Sequence, residues 1–148
     1  MKVLFVTYCR VMLGANRSML NLMLDLRNRY QVEPYVLMPE KEDGTLYEEL
    51  QKCQIPCFVF PMKHWVVDVS QKHKTLRGIS ARIKNCYYVR KMLPDLKKEN
   101  FSLIYTNNST VQTGACLAEI LNIPHIWHVR EFGREDYSVC FSYPNYMV

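Results

Sequence analysis

The sequence predicts a doubly wound α/β domain, a mainly parallel, Rossmann-like sheet with helices on both faces. Three observations lead there. Short apolar runs rich in Val, Ile, Phe and Tyr recur along the chain. Between most of them lie segments whose apolar residues return every three or four positions, the period of a helix. Proline, glycine and asparagine punctuate the changes from one pattern to the other. Short strands alternating with helices imply parallel strands joined by right-handed crossovers.

The elements follow in order. Residues 2–7, "KVLFVT", form the first strand, and residues 15–29 the first helix, with Met19, Leu20, Met23, Leu24 and Leu26 at helical spacing. "VEPYVLMP" is the second strand, stopped by Pro39. "GTLYEELQKCQ" is a short helix with Leu46, Leu50 and Cys53 on one face, and "CFVFP" a short third strand. "SLIYTN" is the fourth, residues 111–121 a helix, and "HIWHV" the fifth strand. The expected strand order is 3-2-1-4-5.

Residues 61–100 break the rhythm. "PMKHWVVDVSQKHK" is a long basic connection without a clear period. A long helix then carries Leu76, Ile79, Ile83, Cys86, Val89, Leu93 and Leu96 as its apolar face, and Pro94 should kink it or open a second helix ending near Asn100. Arg77, Lys84, Lys91 and Lys98 recur every seven residues and so lie along one line. From Lys63 to Lys98 there are ten Lys or Arg, within a chain of net charge +5. This is either a solvated face or a surface that meets an anionic membrane or acceptor, with Lys63, Trp65, Arg77, Lys84 and Lys91 forming it.

The bulk numbers narrow the class. A length of 148 residues fits one domain with a real core, and 49% hydrophobic residues exclude disorder. No apolar run reaches the ~18 residues of a membrane span, and "MKVLFVTYCR" reads as a first strand rather than a signal peptide. A cytoplasmic location is expected, with a peripheral place at the inner face of the cell membrane as its extension. Cys9, Cys53, Cys57, Cys86, Cys116 and Cys140 form no C-x-x-C pair and read as reduced core residues, so neither disulfides nor a metal are expected.

In such a sheet, ligands bind beyond the carboxyl ends of the strands where the order reverses. Gly14 stands before a helix whose first turn holds Asn16, Arg17 and Ser18, a place where backbone N–H groups and the helix dipole favour an anion. The alternative is a glycine that only permits a tight turn. Neither G-x-G-x-x-G nor a phosphate loop is present, and no acidic cluster marks a phospho-receiver. After the fourth strand, Asn107, Asn108, Ser109 and Thr110 exceed what a single helix cap requires. Neutral donors and acceptors of this kind suit a sugar. In the fifth strand, His125 and His128 point to opposite faces, which makes a poor zinc site. His128 and Arg130 share a face at the ligand-bearing end. Arg130 with Glu131 is either a surface ion pair or part of an anion site.

"MKVLFVTYCRVMLGANRSMLNLMLDLRNRYQVEPYVLMP", "LYEELQKCQIPCFVFP" and "FSLIYTNNSTVQTGACLAEILNIPHIWHVREF" together resemble the N-terminal domain of a GT-B glycosyltransferase of the family 4, retaining kind. The most specific pieces are "LGANRSML", where family members usually show G-G-A-E-R, and "NIPHIWHVRE" after "YTNNS". The resemblance implies a transferase moving a hexose from a nucleotide-sugar to a lipid-linked or polysaccharide acceptor in cell-envelope biosynthesis. It implies that this domain supplies the acceptor side. Gly14 and Ala15 inherit a place near the donor diphosphate, while Asn16, Arg17, Asn107, Asn108, Ser109, Thr110 and Glu131 join them as substrate-binding residues. Aligned on Pro124, the family's histidine near the transferred sugar falls on Arg130, and His128 takes a Thr position, so both are catalytic candidates. Tyr105 and Asn107 replace other family histidines.

The resemblance also implies a second domain, holding the nucleotide-sugar, that the 148 residues do not include. The chain is therefore expected to be a truncated single domain, 1–148, inactive alone, with no cofactor and no nucleic-acid partner. The tail, with Phe141, Tyr143, Tyr146 and Val148, is expected to lack a packing partner. A competing expectation of another class is a non-catalytic binding or membrane-docking module with the same fold.

Overall fold

A computed structural model describes residues 1–39, 44–68, 70, 74–130 and 138–141, of which 67, 74, 75, 77 and 139–141 are described by backbone alone. The elements in chain order are β1 (Lys2–Val6), α1 (Gly14–Tyr30), β2 (Glu33–Met38), α2 (Thr45–Lys52) and β3 (Cys57–Val59). Then follow β4 (Val66–Asp68), α3 (Lys74–Glu99), β5 (Leu103–Thr106), α4 (Thr113–Leu121), β6 (His125–Trp127) and β7 (Val139–Phe141). Five strands form one parallel sheet in the order β3-β2-β1-β5-β6. This is the doubly wound sheet expected from the apolar alternation, with β5 and β6 as the fourth and fifth strands of that order.

Each face of the sheet has its own core, because successive side chains of a strand point opposite ways. Val3, Phe5, Val36, Met38 and Tyr105 meet Met19, Met23, Leu46 and Leu50 of α1 and α2. Leu4, Val6, Leu37 and Ile104 meet Val89, Met92, Leu96 and Leu117 of α3 and α4. Gly114 sets how closely α4 approaches: a Cβ there would lie 2.0 Å from Thr106 Oγ1 and 3.3 Å from His125 Nε2.

Three expectations change. First, β4 and β7 form a separate antiparallel ribbon pairing Val66 with Phe141, so the backbone at 139–141 does have a partner. Tyr143, Tyr146 and Val148 lie outside the described residues. Second, α3 is one continuous helix through Pro94, so no second helix opens there. Pro94 and Arg90 are both exposed, so water can satisfy the Arg90 carbonyl that the missing N–H leaves unpaired.

Third, the apolar face of α3 is not the predicted one. The helix has 26 residues, about 39 Å at ~1.5 Å per residue, whereas a five-residue strand spans only ~17 Å. Gly78, Asn85, Val89, Met92 and Leu96 are buried. Leu76, Ile83 and Tyr87 project from the opposite side and are 65%, 64% and 61% exposed, with Ile79 exposed beside them. At about 100° per residue, Lys84 and Lys91 lie along one flank of that apolar stripe and Arg90 within it, between Ile79 and Ile83, all exposed. No helix among the described residues is long and apolar enough to cross a membrane.

Candidate functional site

The carboxyl ends of β1 and β5 open into a cavity of about 430 Å³. Gly14, Ala15, Asn16, Asn107, Asn108 and Thr110 line it, so most of the residues singled out around the two loops come together. A larger hollow of about 530 Å³ lies along α4 and the start of β6. It is shallow and open, and it stands at the amino end of β6, away from the edge where parallel sheets bind ligands.

The β1–α1 loop is held from inside by Asn16, which is 1% exposed. Its Nδ2 donates to the carbonyls of Cys9 and Val11, both at 2.8 Å, and its Oδ1 accepts from Thr7 Oγ1 at 3.0 Å. Asn107 closes the gap to β5, donating to the Ala15 carbonyl at 3.2 Å. Asn16 thus shapes the cavity through bonds to its own loop. The start of α1 has no side-chain cap and no acidic residue in its first turn, leaving N–H groups and the positive dipole end facing the cavity. Gly14 has no positive φ and a Cβ on it would meet nothing within 4 Å. The fold itself places no demand for glycine there, and the missing side chain leaves the helix end open.

On the other loop, Asn108 Oδ1 accepts from the N–H and hydroxyl of Thr110 at 3.3 and 3.2 Å. Its carbonyl accepts from Trp127 Nε1 at 2.6 Å. Ser109 is buried, and Arg17 is exposed on α1; neither lines the cavity. Glu131 lies outside the described residues.

His128 and Arg130 form a second cluster behind Asn107. Arg130 Nη2 donates to Asn107 Oδ1 at 3.0 Å and to Ser18 Oγ at 3.4 Å. It also stands 3.4 Å from His128 Nδ1, which the Tyr105 hydroxyl bonds as well. A guanidinium only donates, so Nδ1 is the accepting nitrogen and the imidazole proton sits on Nε2. Burial lowers the His128 pKa, and the Arg130 charge lowers it further. Burial raises that of Tyr105, against the opposing charge of Arg130. Arg130 Nε is buried without a hydrogen-bond partner among the described residues. The pair shares one face, and both stand beside the cavity rather than in its wall. His125 lies on the α4 face, its Nε2 2.9 Å from Thr106 Oγ1, and burial lowers its pKa.

The basic surface loses one member. Trp65 is 3% exposed, donates from Nε1 to the Ser109 carbonyl at 2.6 Å and stacks on Trp127 with ring centroids 5.5 Å apart. It is an anchor inside the molecule, because an indole whose N–H has a buried partner gains nothing at an interface. Lys63, Lys84 and Lys91 are exposed as expected, and the Arg77 side chain lies outside the description. Cys9, Cys53, Cys57, Cys86 and Cys116 are free thiols, and burial pushes Cys57 and Cys116 up to about 11.

Sequence reasoning missed part of the cavity wall: Thr7, Tyr8, Cys9, Leu13 and His64 also line it. Tyr8 and Cys9 follow β1 directly and could have been read from the edge rule. His64 lies far from both loops in sequence and gave no such signal.

No protein-family model matches the chain, and no curated protein matches it in sequence. Solved structures do match in shape. MurG of Acinetobacter baumannii superposes with a TM-score of 0.62 at 16% identity, over 90% of this chain and 37% of that one. Anabaena HepE (Alr3699), solved in complex with UDP and glucose, gives 0.54 at 23% identity, over 86% and 29%. A glycosyltransferase of Rickettsia africae gives 0.53 at 18% identity, over 92% and 32%. This chain spans about a third of the length of each. Its fold is the Rossmann-like α/β domain found in GT-B glycosyltransferase structures.

Proposed function

We propose that the chain is the acceptor-side domain of a hexosyltransferase of the family 4 kind. The whole protein would move a hexose from a nucleotide-sugar to a lipid-linked or polysaccharide acceptor of the cell envelope. The observation that supports this most is the cavity between the β1–α1 and β5–α4 loops, lined by neutral hydrogen-bonding groups beside an uncapped helix start. The likeness to glycosyltransferase structures about three times longer fits a partial catalytic unit.

When a sugar leaves its nucleotide, negative charge collects on the departing diphosphate. The first turn of α1, at Gly14 and Ala15, and the Arg130 guanidinium both favour that charge. His128, neutral and with its proton on Nε2, offers a donor to a sugar oxygen. Asn108 and Thr110 offer further partners for hydroxyls. A second domain holds the nucleotide, so the 148-residue chain alone has no transferase activity. The test is amide NMR of the isolated chain with glucose and N-acetylglucosamine, alongside a UDP-glucose turnover assay. Saccharide shifts at Ala15, Asn108 and Thr110 without turnover are expected. Silent cavity amides would refute the acceptor-side reading, and turnover by the chain alone would refute its inactivity.

A second reading is favoured by one observation, the exposed stripe of Leu76, Ile83 and Tyr87 with Arg90 within it and Lys84 and Lys91 along one flank. A helix with an apolar face that carries and borders cations suits an anionic lipid surface. In this reading the chain docks at the inner face of the cell membrane, either as part of the transferase or as a non-catalytic module. Co-sedimentation with phosphatidylglycerol vesicles should be strong at low salt, weaken at high salt, and drop in Ile83→Glu. Equal sedimentation of that variant would remove α3 from the interface.

A further inference from the structure

Lys63, His64 and Trp65 lie in the connection between β3 and β4, with His64 in the cavity wall, and the molecule fixes this segment on both sides of its middle residue. Asn85, fully buried on α3, accepts the Lys63 N–H on Oδ1 and donates from Nδ2 to the Lys63 carbonyl, both at 2.8 Å. This two-point bond reproduces one rung of a sheet ladder and sets the direction of the next peptide. On the far side, the Trp65 N–H donates to the Thr110 carbonyl at 3.1 Å and its indole to the Ser109 carbonyl at 2.6 Å. The Trp127 ring backs the indole. With 63 and 65 anchored, the conformational freedom of residue 64 is largely removed before any ligand arrives.

The side chain so presented is an imidazole. His64 lines the cavity opposite Asn108 and Thr110, is exposed to solvent, and packs against Tyr8 with ring centroids 3.5 Å apart. Partial burial lowers its pKa; a hydrogen bond with the Thr110 backbone works the other way, and the Lys63 charge lowers it further. With one ring N–H given to the Thr110 backbone, the other ring nitrogen of the neutral imidazole is left to accept from a hydroxyl. His128 and Arg130, bonded to Tyr105, Asn107 and Ser18, stand beside the cavity, whereas His64 is in its wall.

We propose that His64 is a second ligand-binding histidine besides His128, accepting a hydrogen bond from a saccharide hydroxyl, and that Asn85 and Trp65 are the residues that position it. The assignment rests on the saccharide reading of the cavity above. Its test is titration of the 15N-labelled chain with glucose, N-acetylglucosamine and UDP as separate probes, following the His64 ring nitrogens and the Asn108 and Thr110 amides. The ring nitrogens should move together with those amides on adding a saccharide. His64→Ala should weaken saccharide binding about tenfold, the loss of roughly one good hydrogen bond, while leaving the urea midpoint in place. Asn85→Ala should weaken it as well, with the His64 resonances broadened. Amides that move while the His64 ring stays still, with unchanged affinity in His64→Ala, overturn the role of His64 and leave the saccharide reading standing. Cavity resonances that respond to UDP alone, or to no probe, overturn both.

Discussion

Replacing Asn16 by alanine tests whether one buried amide holds the β1–α1 loop at the cavity. The side chain makes three bonds of 3.0 Å or less, to Thr7 Oγ1 and to the Cys9 and Val11 carbonyls. At roughly 1 kcal/mol net each, their loss costs about 3 kcal/mol. Leaving the Thr7 hydroxyl buried without this acceptor adds to that, and water reaching the Cys9 and Val11 carbonyls subtracts. A loss of about 2–4 kcal/mol remains, a large share of the ~5–15 kcal/mol typical of a domain. With a urea slope of ~1–3 kcal/mol/M, the midpoint should fall by about 1–2 M with the slope unchanged. Asn16→Asp sharpens the test because it keeps the shape and removes both donors, turning a carboxylate toward two carbonyls. That environment raises the folded-state pKa of the new acid, so the charge-dependent part of its penalty is absent below the ordinary carboxylate pKa and grows as pH rises above it, on top of the one donor that even the protonated acid lacks. A loss under about 1 kcal/mol in Asn16→Ala, or an Asp variant without this pH trend, would refute the account of the loop.

Two glycines should respond in opposite ways. Gly14→Ala meets open space at the first turn of α1 and should raise stability by up to about 1 kcal/mol while weakening saccharide binding. Gly114→Ala drives a methyl to 2.0 Å from Thr106 Oγ1 and should cost about 1–3 kcal/mol by overpacking, read as a lower melting temperature. Pro94→Ala on the exposed side of α3 should raise stability, by at most the ~3 kcal/mol a helix-interior proline costs; an unchanged urea midpoint would show that the helix already accommodates it. Stability should also depend on pH in a defined direction. His64, His125 and His128 are all lowered from 6.5 in the folded chain, so protons bind the unfolded chain better; their contribution is complete above about 6.5 and lost as pH falls below it. Glu99, lowered from 4.5 by Lys2, contributes above that value and is lost only at more acid pH. A urea midpoint that rises from pH 7.5 to 5.5 would contradict the histidine assignment.

Much of the fold could be read directly from local pattern. The apolar runs of β1, β2, β5 and β6 and the helical spacing of α1, α2 and α4 need only the preference of each segment to bury one side of itself. Those runs also implied the order of the parallel sheet, because right-handed crossovers leave few alternatives. The polar residues after β5 and the glycine after β1 were legible for the same reason: a strand end and a helix start in close succession leave backbone groups that something must meet.

What local pattern could not determine depends on distant partners. The β4–β7 ribbon joins two three-residue strands far apart in the chain, too short to show a period. The apolar positions of α3 are visible in sequence. Which of them are covered depends on the face that the fold turns inward, so Val89 and Met92 are buried while Leu76 and Ile83, on the opposite side, are not. Trp65 looked interfacial among its cations, and only the Ser109 carbonyl and the Trp127 ring make it internal. His64 reaches the cavity because Asn85, on another element, holds its neighbour. The sequence by itself determined the layered α/β sheet and the edge at which the cavity opens, since burial and strand direction are local consequences of residue type. The tertiary structure alone decided which side chains line the cavity, since that depends on contacts between segments brought together only by folding.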